Sequence, residues 1–323
     1  MATMKAIKLV RESPELAPKI LLETVAKPEL IDNHVLVKVH ASAVHPSDVL
    51  NALGGFGITK FPRIPGRDFS GVITEGPPDR IGEEVYGTSG STYAFSQDGF
   101  HAEYCLVHED AVVPKPKSLS FTQAACIGVP FTTAALTLRK AKATPSDTVM
   151  VLGASGAVGS AAVQLAKSQC CRVIKVSRSD ESDINSAKDP ELASAASLTE
   201  NHGVDVVVDT VGQPGLTGNA VKRLAQGGRM AFITAPRTGS TELSIDMLQF
   251  YRDEKTLVGC NTLKYSVQEL AAQMKAMKQH FDNGHLKGAA EGEWTAVKLE
   301  NAVGAYENAI NKRSREKYVI VMD

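Results

Sequence analysis

One stretch constrains the fold more than any other: "TVMVLGASGAVGSAAVQLAKSQCCRVIKVS", residues 148–177. "TVMVL" reads as a short apolar strand, "GASGAVGSAAVQLAKSQ" as a glycine-rich turn entering an amphipathic helix, and "CRVIKVS" as a second strand. Gly153, Gly156 and Gly159 stand at G-x-x-G-x-x-G spacing, with Ser155, Ala157 and Val158 between them. A tight strand-to-helix turn needs a residue without a side chain near its bend. Close approach to a diphosphate needs the same, and the N–H groups at the helix start then hold the phosphate oxygens. A turn that only packs would also use glycine. The strand before, the helix within and the strand after favour a dinucleotide site.

The same alternation continues. "VDVVVDTVG" and "GGRMAFITA" read as further buried strands with turns, and "KTLVGC" as one more at a sheet edge. Strand and helix in alternation predict a doubly wound parallel sheet. The chain before it differs in character. "HVLVKVHA" sets Val35, Val37 and Val39 against Leu36, Lys38 and His40, the period of a half-buried strand. "FPRIPGRDFSGVITEGPP", "RIGEEVYG" and "GFHAEYCLVHEDAVVPKP" follow, broken by Gly and Pro, and predict a small, mostly antiparallel barrel or sandwich. "SFTQAACIGVPFTTAALTLRKA" reads mainly as helix. After the parallel sheet, "SVQELAAQMKAMKQHFDNG" is a helix stopping at Asn283-Gly284, "LENAVGAYENAINK" a last helix and "KYVIVMD" a terminal strand.

The end of "CRVIKVS" bears on the adenine ribose. An Asp or Glu there would accept from a 2′-hydroxyl and favour NAD. Ser177-Arg178-Ser179 offers hydroxyls and a guanidinium, which suit the 2′-phosphate of NADPH. Asp180 lies close by and opposes that reading, and a merely solvated Arg178 is the alternative.

A net charge of -1 gives no reason to expect nucleic acid. No apolar run approaches the roughly 20 residues that span a bilayer, and the N-terminal residues lack the apolar core of a signal peptide. The five cysteines form no C-x-x-C, and one would be left over from pairing. A reducing compartment, the cytoplasm, is the expectation.

Six segments together resemble the medium-chain dehydrogenase/reductase superfamily, in its zinc-independent quinone oxidoreductase and enoyl reductase branch. They are "ASAVHPSDVLNALGGF", "FPRIPGRDFSGVI", "GFHAEYCLV", "AACIGVPFTTAA", "GASGAVGSAAVQLAK" and "GVDVVVDTVG". The resemblance implies an α/β fold. Residues 1–122 and 264–323 would form a discontinuous GroES-like, β-rich catalytic domain, and residues 123–263 a Rossmann NADPH-binding domain. It implies NADPH contacts from the glycine turn, Ser177 and Arg178, from Thr210, Val211 and Gly212 at one strand end, and from Phe232, Ile233 and Thr234 at the next. Thr133 and Asn261 would approach the nicotinamide side, and Lys317 matches a basic position that meets the cofactor. It also implies a homodimer joined through an edge strand, for which "KTLVGC" is the candidate. One departure is plain: residues 179–202 are shorter than in relatives and read as loop plus one helix. That predicts a Rossmann domain trimmed by about one element.

Zinc-dependent relatives place a Cys, a His and a Glu where this chain has His45, Arg67 and Asp68. A guanidinium stays protonated and does not ligate, and a catalytic zinc needs three protein ligands, so no metal is expected. What remains is hydride transfer from NADPH to a small quinone or to the C=C of an enone or enoyl substrate. Relatives with a polar partner near this turn carry a Tyr or a Lys where Phe56 and Leu50 stand here. His45, in place of the usual Asn, is therefore the candidate catalytic residue, polarising the substrate carbonyl or donating a proton. A turn histidine bonded to backbone is the alternative, and Tyr93, Tyr251 and solvent are rival proton sources. Asp48 reads as a capping residue of the turn, and Cys105 and Cys126 as core. The competing function is an NADPH-binding protein with little turnover, in a sensor, structural or RNA-associated role.

Overall fold

The computed structural model describes residues 2–311 and 316–322. The chain divides into two units, Met1–Val129 with Leu263–Asp323, and Pro130–Thr262. The first stretch holds β1 (Thr3–Val10), β2 (Lys19–Ala26), β3 (His34–Val44), α1 (Pro46–Ala52), β4 (Asp68–Glu75), β5 (Glu84–Thr88), β6 (Tyr104–His108), β7 (Val112–Pro114) and α2 (Phe121–Ala124). Next come α3 (Gly128–Lys140), β8 (Thr148–Leu152), α4 (Ala157–Ser168), β9 (Arg172–Ser177), β10 (Ile184–Asn185), α5 (Ser194–Leu198) and β11 (Val204–Asp209). They are followed by α6 (Pro214–Lys222), β12 (Leu224–Phe232), α7 (Met247–Arg252) and β13 (Thr256–Gly259). The chain returns through α8 (Val267–Asp282), β14 (Thr295–Lys298), α9 (Ala302–Ile310) and β15 (Tyr318–Val321).

In the first unit, among the described residues, the sheet runs β14-β15-β3-β4-β5-β7, with β6 also pairing β3, and β1-β2 form a separate hairpin. The last strand is thus laid antiparallel on β3, Tyr318 opposite Val44 and Val321 opposite Ala41. Val35, Val37 and Val39 enter a core with Phe69, Phe100, Tyr306 and Ile320, while Lys38 and His40 are half-buried, as alternation requires. In the second unit the order is β10-β9-β8-β11-β12-β13, all parallel. The centres of the middle strands are apolar runs because both faces are covered: Val149, Met150, Val151, Val206, Val207 and Val208 are all fully buried.

One segment is mainly helical as expected but interrupted, and one differs from expectation. Residues 120–141 hold two helices. The chain breaks at Ala125–Ile127 and restarts at Gly128, where the Asp68 carboxylate accepts from Val129 N at 2.6 Å. The junction of the units accordingly falls after Val129, later than residue 122. Residues 179–202 hold a two-residue strand as well as one short helix. Ile184 pairs with Val176 beside β9 and is 2% exposed, with Leu192 buried in the same core. The six-strand order survives, and the connection from β9 to β10 is a turn without a helix. Lys312, expected in the last helix, and Asp323, expected after the last strand, lie outside the described residues. Among the described residues no helix is long and apolar enough to cross a membrane.

Candidate active site

In the second unit the expected cofactor residues follow the carboxyl ends of neighbouring parallel strands. Gly153 to Gly159 follow β8, Ser177 and Arg178 end β9, Thr210 to Gly212 follow β11, Phe232 to Thr234 end β12 and Asn261 follows β13. In an open parallel sheet that edge is where a dinucleotide lies. Gly153 and Gly159 have no room for side chains. A Cβ on Gly159 would sit 2.1 Å from Gly153 O, and one on Gly153, whose φ is +78°, would sit 2.5 Å from Thr210 Oγ1. Gly156 is the N-cap of α4 in extended conformation and offers no side-chain cap to the helix. The first-turn N–H groups at Ala157, Val158 and Gly159 therefore fit a diphosphate.

Asp209 organises the next strand end and was not singled out from the sequence. It is fully buried. Oδ1 accepts from Val211 N at 2.8 Å and Gly212 N at 2.9 Å, and Oδ2 accepts from Thr217 Oγ1 at 2.6 Å. Its only sequence signal is a carboxylate closing the apolar run "VDVVVD". Thr210 Oγ1 donates inward to Leu152 O at 2.8 Å, and a Cβ on Gly212 would sit 2.2 Å from Thr234 O. Ile233 N donates to Asp209 O at 3.2 Å, and Cys260 N to Phe232 O at 2.9 Å. Ser177 is buried, accepts from Ser179 N and shares a hydrogen bond with Ser182. Arg178 is exposed. Asp180 is held by Lys188 at 2.6 Å and by Asn185 Nδ2 at 2.6 Å, contacts that lower its carboxyl below the ordinary range. Thr133 lies buried in α3, its carbonyl accepting from Thr137, and Asn261 is exposed.

Lys317 and His45 belong to the first unit. Lys317 pairs with Glu293 at 2.7 Å. His45 is the N-cap of α1, with Pro46 as first helical residue and the Asp48 carboxylate accepting from His45 N at 2.8 Å. Asp48 thus caps the turn, but it is also fully buried, and burial pushes its carboxyl up to about 6 against the opposing charges of His45 and Arg67. The His45 ring bonds a carboxylate from strand β4. Nε2 lies 2.7 Å from Asp68 Oδ2 and the Trp294 ring stands edge-on at 5.5 Å, leaving the residue 2% exposed. Asp68 is fully buried, and a Cβ on Gly128 would meet its Oδ1 at 2.5 Å. Arg67 follows Gly66, whose φ of +101° turns the chain against His101. Burial lowers the Arg67 guanidinium from its ordinary range, opposed by Asp48 and Asp68. Of the rivals, Tyr93 is buried with its hydroxyl accepting from His108 N, Tyr251 is exposed, and Phe56 packs edge-on against Phe95.

Among the described residues no three His, Cys, Asp or Glu side chains are grouped to hold a metal ion. The donor set of the first unit does not fit a zinc: a guanidinium stands among the acidic groups, and His45 is already bonded to Asp68.

Residues 31–117 match the family model of the alcohol dehydrogenase GroES-like domain, and residues 157–278 that of the zinc-binding dehydrogenase. A zinc-type alcohol dehydrogenase-like protein of Schizosaccharomyces pombe is 43% identical over 99% of this chain and 97% of its own length. The quinone oxidoreductase of Mus musculus is 25% identical over the whole of both chains. The 2-methylene-furan-3-one reductase of Solanum lycopersicum is 33% identical over 68% of this chain and 59% of its own. Among solved structures, an alcohol dehydrogenase superfamily protein from Novosphingobium aromaticivorans superposes with a TM-score of 0.85 at 22% identity, covering 99% of this chain and all of that one. The chain is an oxidoreductase that belongs to the medium-chain dehydrogenase/reductase superfamily, in its quinone oxidoreductase branch.

Proposed function

We propose that the protein is an NADPH-dependent, zinc-independent reductase of a small quinone or of the C=C of an α,β-unsaturated carbonyl or enoyl substrate. The observation that supports this reading is a glycine turn with no room for side chains at Gly153 and Gly159, opening α4, in a chain where a guanidinium, Arg67, stands between His45 and Asp68. The quinone oxidoreductase and furanone reductase relatives support the acceptor class. The bound dinucleotide would supply the hydride. Gly153 to Gly159 would hold its diphosphate, and Thr210 to Gly212 and Phe232 to Thr234 its riboses, with Thr133, Asn261 and Lys317 toward the nicotinamide. Ser177 and Arg178 would take the 2′-phosphate, a role favoured by Lys188, which already neutralises Asp180. His45, oriented by Asp68, would supply the proton.

The β13 edge is open to pairing with a second copy, the basis for proposing a homodimer. Five unpaired thiols accord with a reducing compartment such as the cytoplasm.

The test follows NADPH and NADH absorbance with quinones, alkenals and enoyl thioesters. Consumption is expected with NADPH. Binding of NADPH without consumption by any acceptor would assign the chain a binding role instead. Arg178→Ala should weaken NADPH about tenfold or more, from loss of a charge-assisted bond of about 1.5–3 kcal/mol, and leave NADH unchanged. His45→Gln should lose turnover. A His45→Gln enzyme with full kcat removes His45 from the chemistry.

A further inference from the structure

Arg67 leaves most of its hydrogen-bonding capacity unused. Its residue is 4% exposed. Nε donates to Ser89 Oγ at 3.0 Å, and the guanidinium lies 5.4 Å from the centre of the Phe95 ring. Among the described residues its side chain makes no other hydrogen bond. Both terminal nitrogens, with four N–H donors, are therefore uncommitted, and unlike Asp48 Oδ1 and Asp68 Oδ1 they do not count among the fully buried atoms, so the small exposed part of the residue leaves them within reach of a ligand.

Neutralising carboxylates does not explain the arrangement. Asp48 and Asp68 act on Arg67 through their charge, and each has a buried Oδ1 with no hydrogen-bond partner. A guanidinium present only as counter-ion would take such oxygens in a bidentate pair. Instead both carboxylates turn their Oδ2 atoms to His45, and Asp68 also to Val129. A guanidinium held on a serine and an aromatic face, with its terminal donors unused, is preorganised for a further oxygen acceptor.

We propose that Arg67 binds the carbonyl oxygen of the acceptor, through its terminal N–H groups, as the oxyanion site of the reaction. The proposal rests on the reductase reading above. When hydride adds to the β-carbon of an enone, the C=C pair shifts into the bond to carbon and the C=O pair moves onto oxygen, giving an enolate. Arg67 holds that oxygen while its charge develops. A proton then adds at the α-carbon and the C=O re-forms, so one hydride and one proton are consumed. In a quinone the same donors would hold the phenolate oxygen that reduction creates. The neighbouring carboxylates disfavour ligands that arrive as anions, so the site selects neutral conjugated carbonyls over free enoic acids.

The test uses 4-nitrophenol, an enolate mimic that can bind neutral and then ionise, with the NADP⁺-loaded wild-type enzyme. The absorbance of the bound probe reports its ionisation. The expected result is an ionisation constant at least tenfold higher when bound than in water. An unchanged or lower constant, or no binding at all, overturns the proposal without any variant. Arg67→Met should abolish the spectral shift and weaken the probe at least tenfold, with NADPH affinity unchanged. Equal binding and ionisation in that variant would also overturn it. The acceptor panel is read separately. NADPH turnover without an ionisation shift defeats the Arg67 site alone. An Arg67-dependent shift in an enzyme that reduces no acceptor defeats the reductase reading alone.

Discussion

Replacing Asp48 by Asn should remove an unfavourable pH dependence built into the first unit. The carboxyl is fully buried, with Oδ2 accepting from His45 N at 2.8 Å and Oδ1 without a partner. Burial raises it from its ordinary 3.8 to about 6. The folded chain therefore holds this proton more tightly than the unfolded chain does. Below the ordinary value both states are protonated and the group costs nothing. As pH rises through the interval up to about 6, the unfolded chain ionises first and stability falls, levelling off above it. At about 1.4 kcal/mol per tenfold change, the full loss is about 3 kcal/mol. Asn keeps a carbonyl acceptor for His45 N–H and cannot ionise. Relative to wild type, Asp48→Asn should thus gain about 2–3 kcal/mol between about pH 4 and about pH 7. Urea unfolding across that range reads it, followed by the fluorescence of Trp294, the single tryptophan, whose ring stands beside His45. A difference between the two proteins that does not change with pH, or that favours wild type as pH rises, refutes the reasoning.

Gly128→Ala should destabilise the first unit by about 1–3 kcal/mol, because the new Cβ would lie 2.5 Å from Asp68 Oδ1 and displace the carboxylate that caps α3. An unchanged urea midpoint by Trp294 fluorescence would show that the carboxylate moves freely. Gly159→Ala places a Cβ 2.1 Å from the Gly153 carbonyl, a backbone atom that cannot step aside. NADPH titration followed by nucleotide fluorescence should show binding lost, and wild-type affinity in that variant would mean the turn is not the diphosphate cradle.

Local patterns made much of the architecture legible. A short apolar strand, glycines at fixed spacing and an amphipathic helix dictate a strand–turn–helix by steric and periodic rules acting within some thirty residues. The β8–α4–β9 unit and the edge position of β13 were readable for that reason. The helix break at Ala125–Ile127 was not, because propensity favours continuing. What meets the start of the second helix is a carboxylate from β4, sixty-one residues earlier in the chain than Val129, seated against Gly128 and Val129. The two-residue β10 escaped because pairing with β9, and not its own composition, makes it a strand.

The first unit shows the same division. His45, Asp48, Arg67 and Asp68 were all visible as residue types, and Arg67 already argued against a metal. Sequence alone determined that parallel and antiparallel halves exist, that glycine must line the turn, and that a cation stands where a ligand would be needed. Only the tertiary structure decided that His45 bonds Asp68, that Asp48 is sealed from water, and that among the described residues the Arg67 side chain donates only through Nε, to Ser89. Spacing rules govern what neighbours in the chain can do. The charge, burial and bonding of a side chain depend on groups brought from distant strands, and those are set when the core closes.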